Sequence, residues 1–266
     1  MNWNASTIEN LRRVFTDGFV ARDIAEPLIS FDASTAVSEV VGLMENRNLD
    51  VVGVRKEGVV VGYVEWADLS GKHCGEHIRA IEAASISETA SLADVVLGLA
   101  NSPRLFVRVL GAVGGIITMS DLQKPPVRMW LFGMVTLLEM RTTRVIELKC
   151  PGDSWKQYLS ESRLQKAQEL LEERKRRNQN LELIDCLQIS DKGQIIARNE
   201  EIRCLTRMQS RRQAEQAIKM LESLRNNLAH SQDIISCDWE TIVWLCKDME
   251  RVIGGTDAVQ QALAER

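Results

Sequence analysis

Apolar residues in the first 124 positions recur in two similar blocks. Each block has a short amphipathic segment followed by two apolar runs joined by glycine-containing turns, a pattern typical of a helix followed by two strands. We expect strands at residues 50–55 and 59–65 in the first block, and at 105–110 and 115–118 in the second. We expect the helices to begin at Ser34 or Thr35 and at Ser91, because hydroxyl side chains cap helix N-termini.

The two blocks are an internal repeat. Residues 58–69 and 111–122 align without a gap at an offset of 53, and both contain Gly-x3-Gly followed after six residues by Asp-Leu. A unit of this size buries too little surface to be stable alone, so we expect the two repeats to pack together.

The pattern becomes helical after Pro125-Pro126. Helices are predicted at 129–145, 159–178, 200–230 (one helix or two) and 239–253, with an irregular stretch at 181–196 that turns at Asp191-Lys192-Gly193. The predicted fold class is α+β, with tandem repeats of small sheets and helices followed by an all-α bundle. We expect the boundaries to be an N-terminal helix (1–19), repeat 1 (20–72), repeat 2 (78–124), the bundle (125–255) and a tail (256–266).

Composition narrows the class of protein. The net charge is −4, divided into −5 for residues 1–124 and +1 for the rest, which does not predict sequence-independent binding to DNA. Six scattered cysteines favour reduced, mostly buried thiols and a cytoplasmic protein. No signal peptide is evident, and the longest apolar run is too short to span a membrane. His73 and His77 flank Cys74, but Gly71 and Gly75 indicate a loop, so no metal site is expected.

The end of each repeat carries candidate ligand-binding residues. The second repeat reads Gly115-Ile116-Ile117-Thr118-Met119-Ser120-Asp121. It resembles the signature of cystathionine-β-synthase (CBS) domains, and the pair resembles a Bateman module over roughly residues 20–124. The resemblance implies a regulatory adenine nucleotide (AMP, ADP or ATP) bound through Thr118, Ser120 and Asp121. In the first repeat Asp68 is kept, but Glu65 replaces the hydroxyl and would repel phosphate, so this site is expected to be weak or empty. Alternatively, both aspartates only cap the next turn.

A second candidate site lies near the C-terminus, at Arg225, Asn226 and His230. A guanidinium can hold a phosphate, and an imidazole can move a proton near neutral pH. Leu221, Leu224 and Leu228 form an apolar stripe, from which helical geometry turns His230 away. The stretch resembles the Arg-x4–6-His motif of HEPN domains, over roughly residues 125–255. That resemblance implies a metal-independent endoribonuclease of the toxin, defence or stress type, giving 2′,3′-cyclic phosphate ends. The alternative is a surface ion-pair arginine and a helix-capping histidine.

Together these features predict that an adenine nucleotide on the CBS-like pair controls an RNA-cleaving bundle, with no cofactor required. Because His230 points away from its own core, a twofold-related copy must complete the cleft, which predicts a homodimer. The predicted partners are therefore a second copy, an adenine nucleotide and RNA, with neither membrane nor DNA. The alternative is a non-catalytic, nucleotide-sensing homodimer whose bundle serves for dimerisation or partner docking.

Overall fold

The computed structural model describes residues 10, 11, 13–15, 17–81, 84–205, 208, 210–230 and 232–247. The chain forms two compact units. One is Thr16–Arg128, and the other combines the described parts of Met1–Phe15 and Met129–Arg266. Both sheets lie in the first unit, whereas the described part of the second unit contains helices and no strand. The predicted α+β class is confirmed.

The first repeat is built on a three-stranded sheet. Its strands, with the preceding short strand β1, are β1 (Glu26–Pro27), β2 (Ser30–Asp32), β3 (Val51–Lys56) and β4 (Val59–Glu65). The strand order is β2-β3-β4, with β2 parallel and β4 antiparallel to β3. Helix α1 (Val37–Arg47) packs Val40 and Met44 against buried valines of β3 and β4. These contacts bury the apolar side of the amphipathic helix predicted from the sequence.

The second repeat is built on a four-stranded sheet. It contributes β5 (Ser85–Ser87), β6 (Arg104–Val109), β7 (Ala112–Thr118) and helix α2 (Leu92–Leu99). The order is β1-β7-β6-β5, so β1 joins this sheet by pairing antiparallel with β7. Strand β1 lies within residues 20–72, which the sequence pattern assigns to the first repeat. The two repeats are therefore joined through an exchanged strand, and β4 and β7 also contact each other.

The strand register shows the repeat directly. Val51 pairs with Glu65 across β3 and β4, and Arg104 pairs with Thr118 across β6 and β7, at the offset of 53. Both hairpins also shift register at equivalent positions. Each hairpin turn has two residues with positive φ, which fits the twist of two-residue hairpin turns. The predicted internal repeat is therefore confirmed in three dimensions.

The two repeat helices begin differently. The Ser91 hydroxyl accepts a hydrogen bond from the Asp94 N–H (3.1 Å) and caps α2, as predicted. The predicted cap of α1 is wrong, because that helix begins after Ala36, which has no side-chain cap. Thr35 belongs to the preceding turn, where its N–H donates to the Asp32 carbonyl and its carbonyl accepts from the Cys74 N–H.

In the described part of the second unit, the regular structure is helical. Its helices are α3 (Pro125–Lys149, which begins in the first unit), α4 (Glu161–Arg176), α5 (Ile189–Arg198), α6 (Glu200–Leu205), α7 (Arg211–Ala229) and α8 (234–247). Trp155, Ile146, Ile195 and Ile202 lie in its core. Near the N-terminus, Phe15 packs on Gly133 so closely that a Cβ at Gly133 would meet its ring at 2.1 Å. The predicted end of the last helix, at residue 253, lies outside the described residues.

The predicted turn at Asp191-Lys192-Gly193 is wrong, since these residues lie inside α5 and are buried. Asp191 accepts from the Gln188 N–H (3.1 Å) and from Arg163 Nη1 (2.6 Å), and Lys192 Nζ lies 3.3 Å from Glu139 Oε1. A Cβ at Gly193 would meet Ile218 Cδ1 at 2.3 Å. The glycine therefore serves close packing of α5 on α7, which the local pattern could not distinguish from a turn.

In the described ranges, no helix combines the length and apolar character needed to cross a membrane. The six cysteines are free thiols; Cys74, Cys150 and Cys186 are buried, whereas Cys204 and Cys237 are exposed, so the expectation of mostly buried thiols holds for only half of them. His73 and His77 bind the carbonyls of Ser34 (2.7 Å) and Ser70 (2.9 Å). Within the part of the chain that the structure describes, no group of three or more His, Cys, Asp or Glu side chains is placed to hold a metal ion.

Candidate functional site

The turn after β7 brings together the candidate nucleotide-binding residues of the second repeat. Asp121 Oδ2 accepts hydrogen bonds from the Thr118 N–H (2.7 Å) and the Thr118 hydroxyl (3.0 Å). The Ser120 hydroxyl lies 2.8 Å from that of Thr118 and is exposed. Asp121 itself is only 6% exposed. The three residues therefore form one hydrogen-bonded cluster around a buried carboxylate, at the point where β7 becomes a short 3₁₀ turn (Met119–Gln123).

The other oxygen of this carboxylate is held by a lysine. Lys124 Nζ lies 2.8 Å from Asp121 Oδ1, donates to the Ile24 carbonyl (2.6 Å) and also contacts Glu26 Oε1. Burial alone would lower the pKa of Lys124, but the bonds to Asp121 and Glu26 outweigh burial and raise it. Asp121 therefore has partners on both oxygens, and a ribose diol could reach it only by replacing some of them. The sequence missed Glu26 and Lys124 because neither belongs to the repeated motif.

The turn after β4 is held by a larger charged network. Glu65 Oε1 lies 2.6 Å from Arg104 Nη1 and 3.2 Å from Arg79 Nη1, and Asp68 Oδ2 lies 2.5 Å from Arg79 Nη2. Burial lowers the pKa of Arg79, but the hydrogen bond and charge of Asp68, together with Glu65, raise it overall. Arg104 also lies over the ring of Tyr63, 5.7 Å from its centroid. Glu65 thus forms ion pairs with two guanidinium groups.

The repeat offset of 53 identifies the residues of the other copy that are equivalent to these two arginines. Arg79 pairs with Tyr63 of β4, and Glu26 pairs with Ile116 of β7. Arg79 is equivalent to Glu26, and Tyr63 to Ile116, each at the offset of 53. Arg104 lies at the position equivalent to Val51. The signal that could have found both arginines is therefore a departure from the repeat, an arginine in one copy where the other has glutamate or valine.

The second candidate site lies at the end of α7. Leu221, Leu224 and Leu228 are buried. The side chains of Arg225, Asn226 and His230 are exposed, and His230 is the C-terminal cap residue of the helix. Among the described residues, no hydrogen bond to these three side chains is present. The structure thus places the three groups on the outer surface of their own unit.

A buried carboxylate holds the same helix end in place. Asp238 of α8 is 3% exposed and accepts hydrogen bonds from the Ser223 hydroxyl (3.0 Å) and from Asn227 Nδ2 (2.8 Å). Ser223 and Asn227 are four residues apart and share one face of α7. Sequence reasoning singled out Asn226, but it is the neighbouring Asn227 that contacts the interior. Asp238 fixes the last turn of α7 against α8, directly before His230.

No protein-family model matches the sequence, and no curated protein sequence matches it. Several solved structures resemble part of the chain, and some of them are of CBS domains. One is CBSX2 in complex with AMP (21% identity, 40% of this chain and 93% of that one, TM-score 0.36). Others are a hemolysin-like protein containing a CBS domain from Oenococcus oeni (19%, 43% and 94%, 0.34) and an uncharacterized conserved protein from Pyrococcus horikoshii (20%, 40% and 90%, 0.36).

Proposed function

We propose that the first unit binds an adenine nucleotide at the turn after β7, and that this binding regulates the helical unit. The observation that carries the proposal is the buried Asp121 carboxylate, surrounded by the hydroxyls of Thr118 and Ser120. The two hydroxyls of a ribose can donate to a carboxylate in the way that Thr118 and Lys124 now do. The Ser120 hydroxyl, which is exposed, is free in direction to accept from or donate to a ligand.

The regulatory part of the proposal rests on chain connectivity. Lys124 is the residue immediately before α3, which begins at Pro125 in the first unit and continues into the second as far as Lys149. A ligand that takes Asp121 Oδ1 removes one of the partners of Lys124. Binding is thereby linked to the first turn of α3, provided that the ligand favours one arrangement of that turn over the other.

The activity we propose for the helical unit is RNA cleavage by a homodimer. Arg225 would hold the non-bridging phosphate oxygens while His230 transfers a proton to or from the reacting oxygens. The 2′-hydroxyl would attack the adjacent phosphorus, displacing the 5′-oxygen and leaving a 2′,3′-cyclic phosphate. The outward position of Arg225, Asn226 and His230 supports a cleft completed by a second copy.

A scaffold function is favoured by one observation, namely that in the described chain His230 has no side-chain partner to orient its imidazole. Catalytic bases are commonly held by a second hydrogen bond. In this second candidate function the nucleotide-binding unit is retained, and the outer surface of α7 serves for dimerisation or for docking a partner protein.

Two assays test the proposal. Millimolar AMP, ADP or ATP should raise the melting temperature of the protein, and Asp121→Ala should lose this response; an unchanged wild-type melting temperature would contradict nucleotide binding. Purified protein should cleave single-stranded RNA and leave cyclic phosphate ends, with His230→Ala and Arg225→Ala inactive. Lys219→Ala, which removes an exposed charge elsewhere on α7, is the matched control and should stay active. A wild type that cleaves no RNA with any nucleotide indicates the scaffold.

A further inference from the structure

We propose that Glu65 is a built-in anion that closes the turn after β4 to phosphate-bearing ligands. The inference rests on the proposed function only for the ligand class, an adenine nucleotide. Its basis is the position of one atom: Glu65 Oε1 contacts a guanidinium nitrogen of Arg104 at 2.6 Å and one of Arg79 at 3.2 Å. Two guanidinium groups converging on one oxygen are also a common way to bind a phosphate oxygen.

The positions of the two arginines favour an anion between them. The Arg104 side chain is only 17% exposed and lies over the Tyr63 ring, so its charge cannot turn freely into solvent. Arg79 is positioned by backbone hydrogen bonds in both directions with Tyr63. Without an acceptor between them, two like charges would face each other in a partly buried place, which is unfavourable. Glu65 supplies that acceptor from within the chain.

The equivalent positions in the second repeat show that a glutamate between two arginines is specific to the first turn. Glu65 corresponds to Thr118, a neutral side chain, and the two arginines correspond to Glu26 and Val51. The first turn thus combines an internal carboxylate with the cations that a phosphate needs. It also keeps Asp68, the counterpart of Asp121, which could accept from a ribose diol. Glu65 is the carboxylate that lies between the two arginines, whereas Asp68 contacts Arg79 alone.

The experiment removes the charge of Glu65 in a variant whose second turn has lost the Asp121 carboxylate and so cannot contribute to nucleotide binding. Binding of ATP, and separately of inorganic tripolyphosphate, is measured by calorimetry for Asp121→Asn and for the double variant with Glu65→Thr, which copies the residue of the second repeat. We expect the double variant to bind both ligands at one per chain and at least tenfold more tightly than Asp121→Asn alone. Adding Arg104→Met should abolish the gain, and Glu65→Asp, which keeps the charge, should show none.

The proposal is overturned if the double variant melts cooperatively yet binds neither ligand more tightly than Asp121→Asn. If Glu65→Thr does not fold, the near-isosteric Glu65→Gln replaces it in the same comparison, with the same two outcomes. Failure of the proposed function can be distinguished from failure of this proposal, because nucleotide binding under the proposed function is measured in the wild type and not in the Glu65 variants. A wild type without nucleotide binding says nothing against tripolyphosphate binding by the Glu65 variants.

Discussion

The turn after β4 and the turn after β7 share a backbone but differ in their charges. Both follow the last residue of an antiparallel strand with the same register, and both enter a 3₁₀ turn with an aspartate at its third position. After β4, the two carboxylates of Glu65 and Asp68 meet two arginines. After β7, Asp121 and Glu26 share a single lysine. The first turn is balanced in charge, and the second carries one excess negative charge.

The difference shows that two copies of a repeat can keep the same backbone geometry while equivalent side chains make different interactions. The hydroxyl of Thr118 and the carboxylate of Glu65 occupy equivalent positions, yet one donates to an aspartate and the other accepts from arginines. A second difference is burial, since the Asp121 side chain is 8% exposed and that of Asp68 is 33% exposed. The more buried carboxylate is therefore expected to contribute more to stability and to be the more sensitive to substitution.

Substituting each aspartate by alanine tests this difference and should give the largest effect. Asp121→Ala leaves the Thr118 N–H without its acceptor and removes one of the three acceptors of the Lys124 ammonium, in a largely buried place. It should lower the free energy of unfolding by about 2 kcal/mol. Asp68→Ala should cost clearly less, because water can replace Asp68 at the exposed Arg79. Urea unfolding of both variants measures the two costs.

An equal cost for the two substitutions would show that the turns are energetically alike despite their different burial. Asp94→Ala is a suitable control, since Asp94 is an exposed aspartate in the same unit and lies in the first turn of α2. Its cost reports what an exposed carboxylate near a helix N-terminus contributes without a buried cation.

Local patterns predicted the elements that depend on local physics. The apolar runs joined by glycine-containing turns identified β3, β4 and β6, and the offset of 53 placed the two hairpins in one register. The outward position of Arg225, Asn226 and His230 also follows from helical periodicity alone, because the leucine stripe fixes which face is buried.

Contacts between distant residues could not be read in this way. Arg104 reaches Glu65 across 39 positions, and Asp238 holds Asn227 through the packing of two helices. In α5, Asp191-Lys192-Gly193 has the composition of a turn, yet the helix is stabilised by Arg163 and by close packing against Ile218. Tertiary contacts override local preference there, and only the fold brings those partners together.

Exchanging the helix caps of the two repeats is expected to have a smaller effect. Ala36 already has the extended backbone of a cap residue (φ −62°, ψ 136°), close to that of Ser91 (φ −64°, ψ 154°). Ala36→Ser should therefore raise the free energy of unfolding, by up to about 1 kcal/mol, and Ser91→Ala should lower it by about the same amount. Thermal melting of the two variants measures both effects. A destabilising Ala36→Ser would mean that the turn before α1 cannot accommodate a capping hydroxyl.

The smallest expected effect concerns the position where the repeats place Cys74 and Val127, both buried. Burial raises the pKa of the Cys74 thiol above its ordinary value of 9.0. The folded state therefore keeps its proton after the unfolded state has lost it, so this contribution is fully present below pH 9 and declines as the pH rises through the folded pKa. Cys74→Val, which copies the second repeat, removes this dependence. Relative to the wild type, the variant should gain up to about 1 kcal/mol between pH 7 and pH 10. Urea unfolding at both values measures the change, and Cys204→Val, at an exposed thiol, should show none. An identical pH dependence in Cys74→Val and the wild type would mean that the Cys74 thiol is not shielded from solvent in the folded protein.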